Sequence, residues 1–480
     1  MKKLARLHTG VPGLDALLDG GLVAGSSYML QGPPGSGKTI LANQLAFNHL
    51  RNGGHAIVAT LLAESHERLF QYLSTLSFYD PTKVGKQIHY ISALDALESD
   101  GLDGIIRLLR REIIRQKATV LVVDGLLNAR FKAGSAIDTK KFIAELQGHA
   151  AFAGCTVLFL TSSKLDDGSP EHTMVDGVIE FSEAIVGSRS ARFIHLRKTR
   201  GSAALSGLHE CQIDESGFVV FPRIESVHSS PTALPGDDLH SLPSGSADLD
   251  QMLGGGLPES SITLAMGPSG VGKTTLGIGF LSQGTPAEPA LHFGFYEPPN
   301  RLKLKAKALG YDFQAMEDTG ALIVAWQPTT SGLMDEFGAR LIALVDAHAI
   351  KRVLIDSLGG LASPCTNPAR LPAFFSALMG ELRARDVLVF ATWEMRSLFG
   401  PEITSPVPDL SAIVDNILLL RFVDCEAQIK RVLSIVKVRD NAHDVSLAEV
   451  TLKSGGIGLQ KFSKKTESLL SGSASTMPGS

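Results

Sequence analysis

Short, nearly continuous apolar runs alternate with longer mixed segments along the first half of this chain. "SSYMLQG", "HAIVATLLA", "TVLVVDG" and "CTVLFLTSS" carry almost no polar residue at alternate positions, the pattern of strands buried on both faces. The segments between them are long enough for crossover helices. This rhythm predicts an α/β fold in which a mainly parallel sheet has helices on both faces. The strands come closer together near the end of each half, in "ARFIHLRKTR" and "RVLSIVKVR", and there they predict an antiparallel extension.

The pattern occurs twice. "TGVPGLDALLDGGLVAGSSYMLQG" (Thr9–Gly32) aligns without a gap on "SGSADLDQMLGGGLPESSITLAMG" (Ser244–Gly267). Further on, "TVLVVDGL" answers "RVLIDSL", and "LRKTRGS" answers "IVKVRDN", in the same order. A repeat of this size is a duplicated domain. The expected organisation is a first domain at 1–228, a Ser- and Pro-rich linker at 229–240, a second domain at 241–464 and a flexible tail at 465–480.

Composition narrows the class. With 44% hydrophobic and 20% charged residues among 480, the chain has ample material for two cores. A net charge of -4 gives no general basic footprint for nucleic acid. The four cysteines, Cys155, Cys211, Cys365 and Cys425, form no CxxC pair, which speaks against a zinc site or a disulfide framework and for a reducing compartment. No apolar run approaches the ~20 residues of a membrane span, and the basic N-terminus lacks an apolar core, so a cytoplasmic protein without a membrane partner is expected.

Gly32, Gly35, Gly37, Lys38 and Thr39 match the spacing G-x-x-x-x-G-K-[ST], with Ser36 inside the loop. Gly267, Gly270, Gly272, Lys273 and Thr274 match it again, with Val271 inside. Glycines let successive N–H groups turn towards phosphate oxygens, and the following helix adds the positive end of its dipole. The lysines are expected at the β- and γ-phosphates of ATP, and the Thr39 and Thr274 hydroxyls on Mg²⁺. Asp124 and Asp356 end apolar strands, where a carboxylate serves as a second Mg²⁺ partner or as the N-cap of the next helix. Glu64 and Glu297 follow the next strand; each is a candidate general base for the attacking water, or a plain helix-capping glutamate.

These phrases resemble the KaiC-type circadian-clock ATPases of the RecA superfamily, whose repeats open with a "TGIPGFDELLGGGLP"-like phrase. The resemblance covers Thr9 to Leu459. It implies two tandem RecA-like P-loop NTPase domains, a homohexameric ring with ATP between neighbouring subunits, regulatory protein partners, and a role in signalling. The family places two adjacent glutamates where this chain has Ala63-Glu64 and Glu297-Pro298, which implies slowed chemistry. Its Lys-x-Arg element, reaching into the neighbour's site, is matched by Lys198-Thr199-Arg200 and Lys437-Val438-Arg439. A cation supplied in trans stabilises charge developing on the γ-phosphate. The family's autophosphorylated Ser-Thr pair appears here as Ser411-Ala412 in "DLSAIVDNILLL"; Ser411 is a phosphoacceptor candidate or an ordinary helix-start serine. Two further readings stay open. A DNA-dependent recombinase or helicase needs basic channel loops, and "TSSKLDDGSPEHT" and "TWEMRSLFGPEITSPVPD" are not strongly basic. A non-hydrolysing scaffold would use nucleotide only to hold the ring.

Overall fold

The computed structural model describes residues 4–61, 66–126, 136–162, 169–186, 189–228, 240–328, 332–395, 407–425, 428–439, 442–453 and 456–461. Glu64, almost all of the expected linker and the tail lie outside these residues. The chain divides into two compact units, Met1–Val227 and His228–Ser480.

In the first unit a nine-stranded sheet is laid down in the order β9-β8-β7-β6-β1-β5-β4-β2-β3. The strands are β1 (Ser27–Gln31), β2 (Ala56–Thr60), β3 (Ile88–Ser92), β4 (Val120–Asp124), β5 (Thr156–Thr161), β6 (Gly177–Val186), β7 (Arg189–Thr199), β8 (Leu208–Asp214) and β9 (Gly217–Phe221). Pairing is parallel from β3 through to β6 and antiparallel from β6 to β9. The helices that matter here are α1 (Lys38–Arg51), α2 (His66–Leu73), α3 (Leu94–Gln116), α4 (Ala136–Phe152) and the short α5 (Pro170–Met174).

Alternation along the central strands sends side chains to opposite faces. Tyr28, Leu30, Val58, Val122 and Leu158 pack with Leu41 and Leu45 of α1. Their neighbours Met29, Ile57, Ala59, Val123 and Val157 pack with Ile105 and Leu109 of α3 and Phe142 of α4. The sheet is therefore covered on both sides, and this is why its strands read as continuous apolar runs.

The second unit repeats the topology. Its sheet runs β12-β11-β13-β14-β10-β15-β16-β17-β18, with β10 (Ile262–Gly267), β11 (Ala290–Gly294), β12 (Leu322–Trp326), β13 (Arg352–Asp356), β14 (Leu388–Glu394), β15 (Asn416–Cys425), β16 (Gln428–Val438), β17 (Ala448–Lys453) and β18 (Gly456–Lys461). Helices α6 (Lys273–Leu281), α7 (Pro299–Ala308), α8 (Met334–His348), α9 (Leu371–Ala384) and α10 (Leu410–Ile413) complete the part that frames the site. The five strands from β12 to β10, with β15, are mutually parallel. Two mainly parallel α/β domains thus follow one another along the chain. No helix among the described residues is long and apolar enough to cross a membrane.

Candidate active site

Each glycine loop leaves the carboxyl end of a central strand and enters a helix, the place where open α/β sheets bind ligands. Gly37 caps α1 at φ 97°, and Gly272 caps α6 at φ 116°. Both values lie in the left-handed region that glycine enters without steric cost. A Cβ on Gly37 would also stand 2.7 Å from Ile213 Cδ1.

The two lysines fold back over their loops. Lys38 Nζ donates to the carbonyls of Gly32 (2.9 Å) and Pro33 (2.8 Å) and to Ser36 Oγ (3.2 Å). Lys273 Nζ donates to the carbonyls of Gly267 and Pro268, each at 2.7 Å. Val271, by contrast, is buried in the core beneath the second loop. Burial pushes both ammonium groups below the ordinary lysine range; Asp124 opposes this at Lys38, and Glu394 followed by Asp356 at Lys273. An ammonium that is partly desolvated and rests on neutral carbonyls is poised to exchange them for phosphate oxygens.

Thr39 Oγ1 donates to Asp124 Oδ2 at 3.0 Å, and Thr274 Oγ1 to Asp356 Oδ2 at 3.0 Å. The same hydroxyl–carboxylate pair therefore stands at the head of both cradles. Sheet register explains it: β4 and β13 end level with the strands beside them, pairing Thr60 with Asp124 and Gly294 with Asp356. A hydroxyl and a carboxylate oxygen are the donor types that Mg²⁺ takes alongside phosphate and water, so the residues present fit that ion.

A cavity of ≈ 350 Å³ opens at the second cradle, lined by Lys273, Thr274, Glu297, Lys305, Asp356 and Glu394 among others. Thr392 Oγ1 donates to Asp356 Oδ1 at 2.6 Å, so both carboxylate oxygens are held. Beneath them His292 is buried, neither ring nitrogen has a partner among the described residues, and burial pushes the imidazole down to about 4 against the opposing pull of Asp356. Thr392, Glu394 and His292 were absent from the sequence reading. The first two end the apolar run "VLVFATWE", a strand-edge signal like that of Asp124. Glu297 lines the same cavity, but its carboxylate is held by Lys305 Nζ, 2.6 Å from Oε1 and 2.7 Å from Oε2, with Arg301 Nε 3.6 Å from Oε1.

The Lys-x-Arg elements lie away from these cradles, at the ends of β7 and β16. Lys198 Nζ donates to the carbonyls of His172 (2.8 Å) and Val175 (2.6 Å), closing the end of α5. Lys437 Nζ does the same for Ser411 (2.6 Å) and Val414 (2.8 Å) at α10. Desolvation, then the neighbouring arginine, lowers the pKa of each lysine, and Asp176 or Asp415 opposes this. Arg439 Nη1 is 3.0 Å from Asp415 Oδ1, and Arg200 Nη1 is 3.7 Å from Asp176 Oδ1. These aspartates also accept from the first backbone N–H of the cradle strand, Ser27 in one unit and Ile262 in the other. In the first unit Arg197, Lys198 and Arg200 line a concavity of ≈ 450 Å³ with His172, Thr173 and Val178, a cationic recess suited to an anion. Ser411 is exposed on α10 and is not among the residues lining the second cradle's cavity.

Comparison with known proteins places these features in one family. The family model for the KaiC ATPase matches residues 7–225 and again 242–463. The circadian clock oscillator protein KaiC of Picosynechococcus is 26% identical, over 98% of this chain and 93% of its own length. KaiC 1 of Synechocystis is 25% identical over 98% and 92%, and KaiC of Thermosynechococcus vestitus 26% over the same shares. With a phosphate cradle in each half and the family's domain matched twice, this chain belongs to the KaiC ATPase family.

Proposed function

We propose that the chain is an Mg²⁺-dependent ATP hydrolase that assembles on nucleotide into a cytoplasmic ring of identical subunits, a hexamer, and serves regulation rather than the turnover of an external metabolite. The observation that carries the proposal is the twofold recurrence of one constellation: a glycine loop, a lysine folded on it, and a threonine 3.0 Å from a strand-end aspartate. The loop N–H groups and helix dipoles hold the phosphates. Lys38 and Lys273 move from loop carbonyls to the β- and γ-oxygens. Thr39 with Asp124, and Thr274 with Asp356, would hold Mg²⁺, which when bound neutralises phosphate charge. Glu64 and Glu297 accept the proton of the attacking water. Lys198 and Arg200, or Lys437 and Arg439, are lent to the adjoining subunit, where they stabilise charge on the γ-phosphate.

The regulatory reading rests on the printed role of the relatives, which are clock oscillator proteins, and implies regulatory protein partners. Autophosphorylation of Ser411 by the second domain belongs to the same proposal. ATP turnover and oligomer mass, measured for the whole chain beside Lys38→Ala and Lys273→Ala, test it. Turnover untouched by both changes would remove the cradles from the chemistry.

A further inference from the structure

The cavity at the second cradle is lined by a glutamate and a lysine that bind each other. Four and eight residues after Glu297 the chain places Arg301 and Lys305 on α7; four and eight residues after Glu64 it places Arg68 and Tyr72 on α2. In the first unit Arg68 Nε donates to Tyr72 Oη at 3.0 Å, and its guanidinium stands over that ring at 5.8 Å. In the second unit the residue eight after the glutamate is a lysine, and its ammonium reaches both oxygens of Glu297 at 2.6 and 2.7 Å. The Glu297 side chain is only 15% exposed, so it has little water to turn to instead.

We propose that Lys305 restrains Glu297 and makes the second domain a slow, releasable ATP site. This rests on the reading of Glu297 as the base. A carboxylate accepts a proton through lone pairs that the Lys305 hydrogen bonds occupy, so the pair must part before Glu297 serves the attacking water. Prolines Pro298 and Pro299 fix the backbone after Glu297 and hold it one and two helical turns from its partners. Lys305 is 48% exposed, which leaves the pair weak enough to open. The cavity that Lys305 lines is the one that receives the triphosphate, whose charge competes with Glu297 for the ammonium. Lys305 is thus a positioning residue that acts through Glu297.

The test uses the full chain. Turnover is measured with and without Lys273→Ala, and the portion lost is the second domain's share. Lys305→Met and Lys305→Tyr are expected to raise kcat of that share about two- to fivefold, the population factor of a partly exposed ion pair. Lys305→Arg, which keeps the pairing, should hold the share below that of the Met and Tyr variants. A share that is unchanged or lower in both the Met and Tyr variants, while Glu297→Gln still abolishes it, overturns the restraint alone. A share indifferent to Glu297→Gln in the parental and Lys305→Met chains alike overturns the reading of Glu297 as base, and the restraint with it.

Discussion

Thr274 donates its hydroxyl proton to Asp356 at 3.0 Å, across 82 residues of sequence, and Thr39 repeats the contact with Asp124 at 3.0 Å. Each pair joins the first turn of a cradle helix to the end of a strand two places away in the sheet. The contact orients a carboxylate that would otherwise rotate at a strand end.

Changing Asp356 to Asn keeps one acceptor oxygen, for either Thr274 or Thr392, turns the other position into a donor, and removes the charge. Affinity of the second domain for ATP with Mg²⁺ is therefore expected to fall about 10- to 100-fold, the usual scale for disturbing a metal's supporting set. Affinity for ATP in EDTA should change little. Titration with a fluorescent ATP analogue in the two buffers, on a Lys38→Ala chain, checks this; equal losses in both would assign Asp356 a structural role.

Assembly is expected to depend on nucleotide, because in the proposed ring Lys198 with Arg200 and Lys437 with Arg439 would complete a neighbour's site and ATP would bridge two subunits. Light scattering should show the mass rising towards a hexamer in ATP and Mg²⁺, and falling short of it in Lys198→Ala/Arg200→Ala. A chain that stays monomeric at saturating ATP removes the trans site.

The first domain is expected to be the main hydrolytic tier, since Glu297 is tied to Lys305 at 2.6 Å. Glu64→Gln should lower the first domain's turnover by about 10²-fold or more, the scale for loss of a general base. Glu297→Gln should cost the whole chain less. The reverse ranking, read from phosphate release, would reassign the tiers.

Ser411 is exposed on α10, and Lys437 Nζ holds its carbonyl at 2.6 Å. A phosphate added to its hydroxyl would meet Lys437 and Arg439, with charge-assisted hydrogen bonds to gain. Mg-ATP incubation followed by phosphopeptide mapping is expected to find low stoichiometric phosphate on Ser411, absent from Lys273→Ala. No phosphate there would leave the second domain without kinase activity.

Gly37→Ala is expected to destabilise the first domain by at least about 1–2 kcal/mol, the cost of a side chain at positive φ. Contact with Ile213 adds to it, the added Cβ standing 2.7 Å away. Thermal unfolding with and without ATP would register both the loss and a weakened ligand-induced gain in Tm.

Much of this molecule was determined locally. Strands buried on both faces announce themselves as unbroken apolar runs, and a loop that wraps phosphate needs glycine at fixed spacing, so the doubled α/β domain and both cradles are legible in the sequence. Asp124 and Asp356 were also within reach, because a strand that ends in a carboxylate breaks its own pattern. What the tertiary structure alone decided is who touches whom across the sheet. That Thr392 shares Asp356 depends on β14 lying beside β13. That Lys198 and Lys437 cap short helices depends on an antiparallel strand bringing them back to the cradle strand's neighbour. Lys305 in the sequence is one lysine of "KLKAK"; the folded α7, which starts at Pro299, turns it rather than Lys303 or Lys307 onto Glu297. Helical periodicity gives faces, and the packing of the helix on the sheet chooses which face looks into the site.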